Sequence, residues 1–193
     1  LKIGIYILAA GGSKRLGHPK QLLLYRNNTL LNHTILACKK SKAVNVKVIL
    51  GAHHEKIKNT LPEDTNWILN GVWQSGMASS IQKAVQDGQN IYEGIILLVA
   101  DQPAISDKVI ELLLNTVRIH SDGIVSSRYK DGTGPPVYFS KKFFPELSEL
   151  NGDQGAKILV NKYAKEVTYI PFPMGHIDID NKNDLSALYE YYS

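Results

Sequence analysis

Two rhythms of apolar and polar positions alternate along the 193 residues of this chain. Short runs that are apolar throughout, such as Ile3 to Leu8 and Gly94 to Ala100, have the length and composition of strands buried on both faces. Spacings of three and four residues between them predict helices. Leu30 to Lys40 carries Leu31, Ile35 and Cys38 on one face, and Met77 to Asp87 turns Ile81, Ala84 and Val85 inward, with Gly88 as its stop. Further strands are predicted over Val44 to Leu50, Trp67 to Leu69, Gly123 to Ser127, Val137 to Ser140 and Val167 to Ile170. Further helices are predicted over His54 to Thr60, Gly155 to Tyr163 and Asn183 to Tyr191, and over a segment capped by Ser106 that bears Val109, Ile110, Leu113 and Val117.

Strands alternating with helices from end to end imply one three-layer α/β domain: a mainly parallel sheet with helices on both faces, Rossmann-like in plan. Gly94 to Ala100, the most apolar strand, belongs at its centre. Ligands of such sheets bind beyond the carboxyl ends of the strands. The segments there are Leu8 to Gly12 after the first strand, Asn70-Gly71 after the third and Asp101-Gln102-Pro103 after the central one. They are expected to meet in one crevice.

Composition narrows the classes of function. With 44% hydrophobic and 21% charged residues the chain has the make-up of a soluble globular protein. No apolar run approaches the roughly 18 residues of a membrane helix, and the opening apolar stretch runs into a glycine loop rather than a cleavage site, so neither membrane nor signal peptide is expected. A lone Cys38 forms no intrachain disulfide and suits a reducing cytoplasm. The net charge of +4 is spread out, without the long like-charge run of a nucleic-acid arm. The histidines, His53-His54 included, form no zinc-ligand pattern, and no Gly-x-Ser-x-Gly elbow occurs.

The candidate chemistry lies in two places. Ala9-Ala10-Gly11-Gly12-Ser13-Lys14-Arg15-Leu16-Gly17-His18-Pro19-Lys20 joins small residues to cations. Gly11 and Gly12 let backbone N–H groups approach an anion, Ser13 offers a hydroxyl, and Arg15 and Lys20 can reach phosphate oxygens. The spacing is neither that of a Walker loop nor that of a GxGxxG fingerprint. Asp101 closes the central strand, where a carboxylate can hold Mg²⁺ against phosphate oxygens; a turn-forming or capping aspartate is the plainer alternative.

Leu8 to Leu23 of this sequence resembles the LAAGxSxRxGxPKxLL signature of MobA-like nucleotidyltransferases, in the form found in MocA-type molybdenum-cofactor cytidylyltransferases. The resemblance implies a nucleotide-diphospho-sugar transferase type of fold. It also implies a triphosphate wrapped by Leu8, Ala9, Ala10, Gly11, Gly12 and Ser13, with Arg15, Lys20 and Asp101 as catalytic residues. Asp101-Gln102-Pro103 matches the family's D-x-P metal motif, and His176 to Leu185 its DIDTPEDL segment. Asp180 is thereby implied as second Mg²⁺ ligand, with Asp178 the alternative.

Asn70 to Ile81 is similar to the family's N-x-x-W-x-x-G-M-x-x-S segment, which implies base and ribose contacts from Asn70, Gly76, Ser79 and Ser80, while Trp73 is expected to pack. Gly134-Pro135-Pro136-Val137 resembles the GHPV strand, with Pro135 in place of histidine, and Gly152 to Lys157 resembles GDxGAR. Gly134, Pro135, Asp153 and Gly155 are thus implied on the acceptor side. The implied reaction moves a nucleotidyl group from CTP, in preference to GTP, onto a molybdopterin-type acceptor with release of pyrophosphate. A sugar-phosphate or alcohol-phosphate acceptor, a non-catalytic nucleotide-binding partner of a molybdenum hydroxylase, and a nicotinamide oxidoreductase are the rival readings.

Overall fold

The computed structural model describes residues 1–13, 16–41, 43, 45–179 and 184. The first half of the chain runs β1 (Ile3–Ala9), the short strands β2 (Leu24–Tyr25) and β3 (Asn28–Thr29), α1 (Leu30–Lys40), β4 (Val46–Leu50), α2 (His54–Lys58), β5 (Asn66–Leu69) and α3 (Met77–Gly88). The second half runs β6 (Gly94–Val99), α4 (Asp107–Ile119), β7 (Ile124–Tyr129), β8 (Gly132–Ser140), α5 (Phe144–Glu149), α6 (Lys157–Lys162) and β9 (Val167–Pro171). Single 3₁₀ turns sit at Lys20–Leu22, Trp73–Ser75, Lys141–Phe143 and Pro173–His176.

Seven strands form one sheet in the order β5-β4-β1-β6-β8-β7-β9. β8 alone is antiparallel to its neighbours β6 and β7; the other pairs are parallel. The fully apolar β6 is the middle strand, as its composition predicts. Side chains alternate across the sheet: Ile5 and Ile7 of β1 join the core under α1 and α4, while Tyr6 joins the core under α3, α5 and α6. The faces predicted for α1 and α3 are the buried ones, and Ser106 caps α4 by accepting from the Val109 N–H at 3.4 Å.

The structure corrects several boundaries. The helix predicted over Gly155 to Tyr163 is only Lys157–Lys162, capped at Ala156 with no side-chain hydrogen bond. β8 begins at Gly132 rather than Val137, and β7 continues to Tyr129. The helix predicted over Asn183 to Tyr191 lies outside the described residues, as does Val44. Among the described residues no helix is long and apolar enough to cross a membrane.

This topology fixes where a ligand can enter. From β1 the chain passes outward to β4 and β5, then returns to β6 on the other side of β1. The loops leaving β1 and β6 therefore diverge, opening a crevice between them. Leu8 stands in register with Val99, so the glycine loop and Asp101 emerge side by side.

Candidate active site

The chain beyond β1 is held open by side chains rather than by regular structure. Gln21, only 2% exposed, donates its amide to the carbonyls of Ala9 (2.8 Å) and Gly11 (2.9 Å). The backbone N–H of Ala52 donates to Ala10 at 3.0 Å. Ser13, at a φ of +48°, accepts the Lys20 N–H on its hydroxyl oxygen at 3.0 Å, which fixes the start of the 3₁₀ turn and leaves the hydroxyl proton to donate. Lys20 then reaches across the mouth of the sheet, and its ammonium pairs with the Asp101 carboxylate. Lys14 and Arg15, the remaining cations of the loop, lie outside the described residues.

Asp101 lines one cavity beside this contact, and a second cavity adjoins that one. One, of about 390 Å³, is lined by Leu8, Ala10, Gly11, Gly12, Trp73, Gln74, Gly76, Met77, Ser80 and Asp153. The other, of about 350 Å³, extends from Leu8 and Met77 to Asp101, Gln102, Tyr129, Gly134, Pro135, Gly155, Lys157 and Asp178. Leu8 and Met77 belong to both, so the two are adjoining chambers of one cleft. The segments after β1 and β6 meet there as expected, whereas Asn70-Gly71 does not and lines a separate cavity.

The individual placements differ from the sequence expectation in several respects. Ser80 faces the loop-side chamber, but Asn70 and Ser79 line a separate cavity. The buried Asn70 amide donates to Ser79 Oγ (2.8 Å) and Ser80 Oγ (3.1 Å), so it orients the helix start instead of facing the cleft. Ala9 and Ser13 line neither chamber; they accept hydrogen bonds from Gln21 and from the Lys20 N–H. Trp73 packs as predicted, over Gly12 and Gly51, and also walls the loop-side chamber. Gly134, Pro135 and Gly155 line the second chamber, whereas Asp153 lines the first.

Asp178 shares the second chamber with Asp101, and the Ile179 N–H donates to the Asp101 carbonyl at 3.1 Å, which ties this C-terminal segment to the turn after β6. Asp180 lies outside the described residues. Tyr129 feels both carboxylates: burial above all raises its pKa, and the charges of Asp178 and Asp101 add to the rise against the lowering hydrogen bond from Gln102.

Residues 5–167 match the family described as the MobA-like NTP transferase domain. The chain belongs to this family.

Among its relatives, the purine catabolism protein PucB of Bacillus subtilis is 27% identical over 82% of this chain and 80% of its own length. The nicotine blue oxidoreductase of Paenarthrobacter nicotinovorans is 29% identical over 81% of this chain and 80% of its own. The crystal structure of Rv0371c from Mycobacterium tuberculosis superposes with a TM-score of 0.85 at 30% identity, covering 98% of each chain. A manganese complex of that mycobacterial protein superposes with a TM-score of 0.82 at 28% identity, over 98% of this chain and 99% of that one. The fold and the nucleotidyltransferase class are those the sequence motifs imply.

For a MobA-like transferase the chamber holding Asp101 is the place to look for a divalent cation. Its donors fit: carboxylate oxygens are what Mg²⁺ and Mn²⁺ take, and the Lys20 ammonium already seats a positive charge on Asp101. Among the described residues no group of three or more His, Cys, Asp or Glu gathers.

Sequence reasoning missed two residues, one that shapes the loop of this MobA-like cleft and one that lines it. One is Gln21, which staples the loop. The other is Tyr129, whose hydroxyl donates to the Pro135 carbonyl and accepts from the Gln102 amide (2.8 Å), while that amide also donates to the Gly175 carbonyl (2.6 Å). A Cβ on Gly134 would fall 2.5 Å from the Tyr129 hydroxyl, and one on Gly175 2.2 Å from its ring. Those glycines were the available signal, but nothing along the chain links them to a tyrosine on another strand.

Proposed function

We propose that this protein transfers a cytidylyl group from CTP, in preference to GTP, to the terminal phosphate of a molybdopterin-type acceptor, releasing pyrophosphate in the cytoplasm. One observation carries the reading: a cation from the glycine loop pairs with the carboxylate closing β6, and that carboxylate lines one of two adjoining chambers, the other of which is lined by the loop's glycines. The chamber at Gly11 and Gly12 suits the nucleotide. The chamber at Gly134, Pro135 and Gly155 suits the acceptor.

An acceptor phosphate is already anionic near neutral pH, so the reaction asks for positioning and charge neutralisation more than for a strong base. An acceptor oxygen attacks the α-phosphorus, the bond from that phosphorus to the bridging oxygen of the β-phosphate breaks, and pyrophosphate leaves with the electron pair. Backbone N–H groups at Gly11 and Gly12, with Lys20 and Arg15, neutralise the triphosphate. Asp101, with Asp180 or Asp178, would hold Mg²⁺, whose charge offsets that of the phosphate oxygens. The manganese complex of the Rv0371c neighbour supports a divalent site in this fold.

An oxidoreductase reading, suggested by one relative's name, draws no support from the glycine loop, whose spacing is not that of a dinucleotide fingerprint. The decisive assay measures pyrophosphate release from CTP, Mg²⁺ and molybdopterin, with wild type active and Asp101→Ala inactive. Release that survives the substitution counts against the role of Asp101, and no release from wild type with any triphosphate counts against the reading.

A further inference from the structure

Asp153 stands in the chamber opposite the one implied by its motif. Its loop is strapped to the first turns of α3: the Ala78 N–H donates to the Gly152 carbonyl at 3.0 Å, and the Gln82 amide donates to the carbonyls of Ser148 (3.0 Å) and Leu150 (2.8 Å). Gly76, which faces this loop, has a φ of +96°, and a Cβ there would lie 2.3 Å from the Gly152 oxygen and 2.7 Å from Asp153 Oδ1. The carboxylate is thus held against the bare Cα of Gly76, on the wall of the chamber that carries Gly11, Gly12 and Ser80.

Among the described residues, Asp153 and the Lys20–Asp101 pair bear on the direction in which a nucleotide lies. No lysine, arginine or histidine is among the described residues lining this chamber, whose charged member is Asp153, while Lys20 points to the Asp101 side. Triphosphate oxygens are repelled by Asp153 and drawn to Lys20. The part of the nucleotide left beside Asp153 is the nucleoside. A carboxylate accepts hydrogen bonds and donates none, so its complement there is an O–H or N–H donor.

We propose that Asp153 is a specificity-determining residue, accepting hydrogen bonds from the nucleoside of the bound triphosphate, from either its ribose hydroxyls or the exocyclic amine of its base. The assignment rests on the nucleotidyltransferase reading and deepens it: a residue placed by motif on the acceptor side selects the donor substrate.

Calorimetric titration of wild type and Asp153→Ala with CTP, 2′-deoxy-CTP and UTP, each with Mg²⁺, tests it. Asp153 is exposed, so the variant should fold, as an unchanged melting temperature would verify. Loss of the charged acceptor is expected to weaken CTP binding about tenfold. Discrimination against 2′-deoxy-CTP should vanish if the ribose is read, and discrimination against UTP if the amine is read. A variant that binds CTP as wild type does, or rejects both analogues as wild type does, overturns the assignment. Wild type that binds no triphosphate overturns the parent reading as well.

Discussion

The Lys20 ammonium pairs with the Asp101 carboxylate across the mouth of the sheet, joining residues 81 positions apart. Their side chains are 25% and 16% exposed, so water and salt screen the contact only in part. In the proposed reaction each partner has a competitor: a triphosphate would compete for Lys20, and a divalent cation would compete for Asp101. The two exchanges favour one another, because the anion that draws Lys20 away leaves the carboxylate open to a cation.

Replacing Lys20 by methionine separates the two competitions. With the ammonium gone, Mn²⁺ should bind the nucleotide-free protein roughly tenfold tighter, about 1.4 kcal/mol. Nucleotidyl transfer should nevertheless fall by about 10²–10³, the usual cost of removing one positioned charge at a transferring phosphate. Paramagnetic titration of Mn²⁺ and initial rates give the two numbers. An unchanged Mn²⁺ affinity would show that Lys20 does not compete for the metal position.

Gly11→Ala distinguishes a phosphate cradle from an ordinary surface turn. A Cβ at Gly11 meets nothing within 4 Å in the protein itself. Stability should therefore change little, within about 0.5 kcal/mol of wild type. A triphosphate lying on the backbone of Gly11 and Gly12 has to approach through that same space, so KM for the nucleotide should rise about tenfold or more. A variant with wild-type KM would make the loop a turn and nothing else.

The layers of the fold could be read from the chain because its strands are apolar throughout and its helices are one-sided, as β6 and α3 illustrate. The β2–β3 hairpin could not. Its two turn residues, Arg26 and Asn27, both adopt positive φ (+48° and +62°) without the glycine that usually announces such a turn. The first half of β8, Gly132 to Pro136, reads as a loop because glycine and proline seldom enter strands; it pairs with β7 across a register shift at Ser126/Ser127. At the site, glycines beside cations and a carboxylate after the central strand are local signals, and both were legible. Tyr129, Gln21 and the chamber occupied by Asp153 depend on which distant segments pack together, which motif order along a chain does not encode.

Gln21→Leu should loosen the loop. The amide donates to the Ala9 and Gly11 carbonyls from a buried position, and an apolar side chain deprives both of that donor. Loss of buried hydrogen bonds of this kind costs about 1–3 kcal/mol, or roughly 2–10 °C in Tm for a domain of this size. Because Gln21 makes these contacts without lining either chamber, its loss should raise the nucleotide KM more than it lowers kcat. A kcat loss with unchanged KM would contradict a loop-shaping role.

Stability should decline on both sides of neutrality, because burial disfavours the anionic forms of some groups and the cationic form of another. Burial pushes the Cys38 thiol and the Tyr138 hydroxyl each up to about 12, and raises Tyr6 and Tyr129 as well. In the unfolded chain these groups release protons near 9.0 for the thiol and 10.0 for the phenols, while the folded protein still holds them. The unfolded state then binds fewer protons, so stability is complete below about pH 8.5 and is lost as pH rises toward the folded values. His33 runs the other way. Burial lowers its pKa, and the charges of Arg26 and Lys40 add to the lowering against the hydrogen bonds to Ile105 and Pro103. Its unfolded form takes up a proton below about pH 6.5 before the folded form does, and stability drops as pH falls through that value. Urea unfolding at a series of pH values from acid to alkaline should trace both limbs. Cys38→Ala should flatten the first part of the alkaline limb, where only the thiol titrates, at the cost of a small cavity that lowers the whole curve. His33→Gln should flatten the acid limb near pH 6.5. A Cys38→Ala curve parallel to wild type as the pH passes 9 would mean that the thiol is not held protonated by the core around α1.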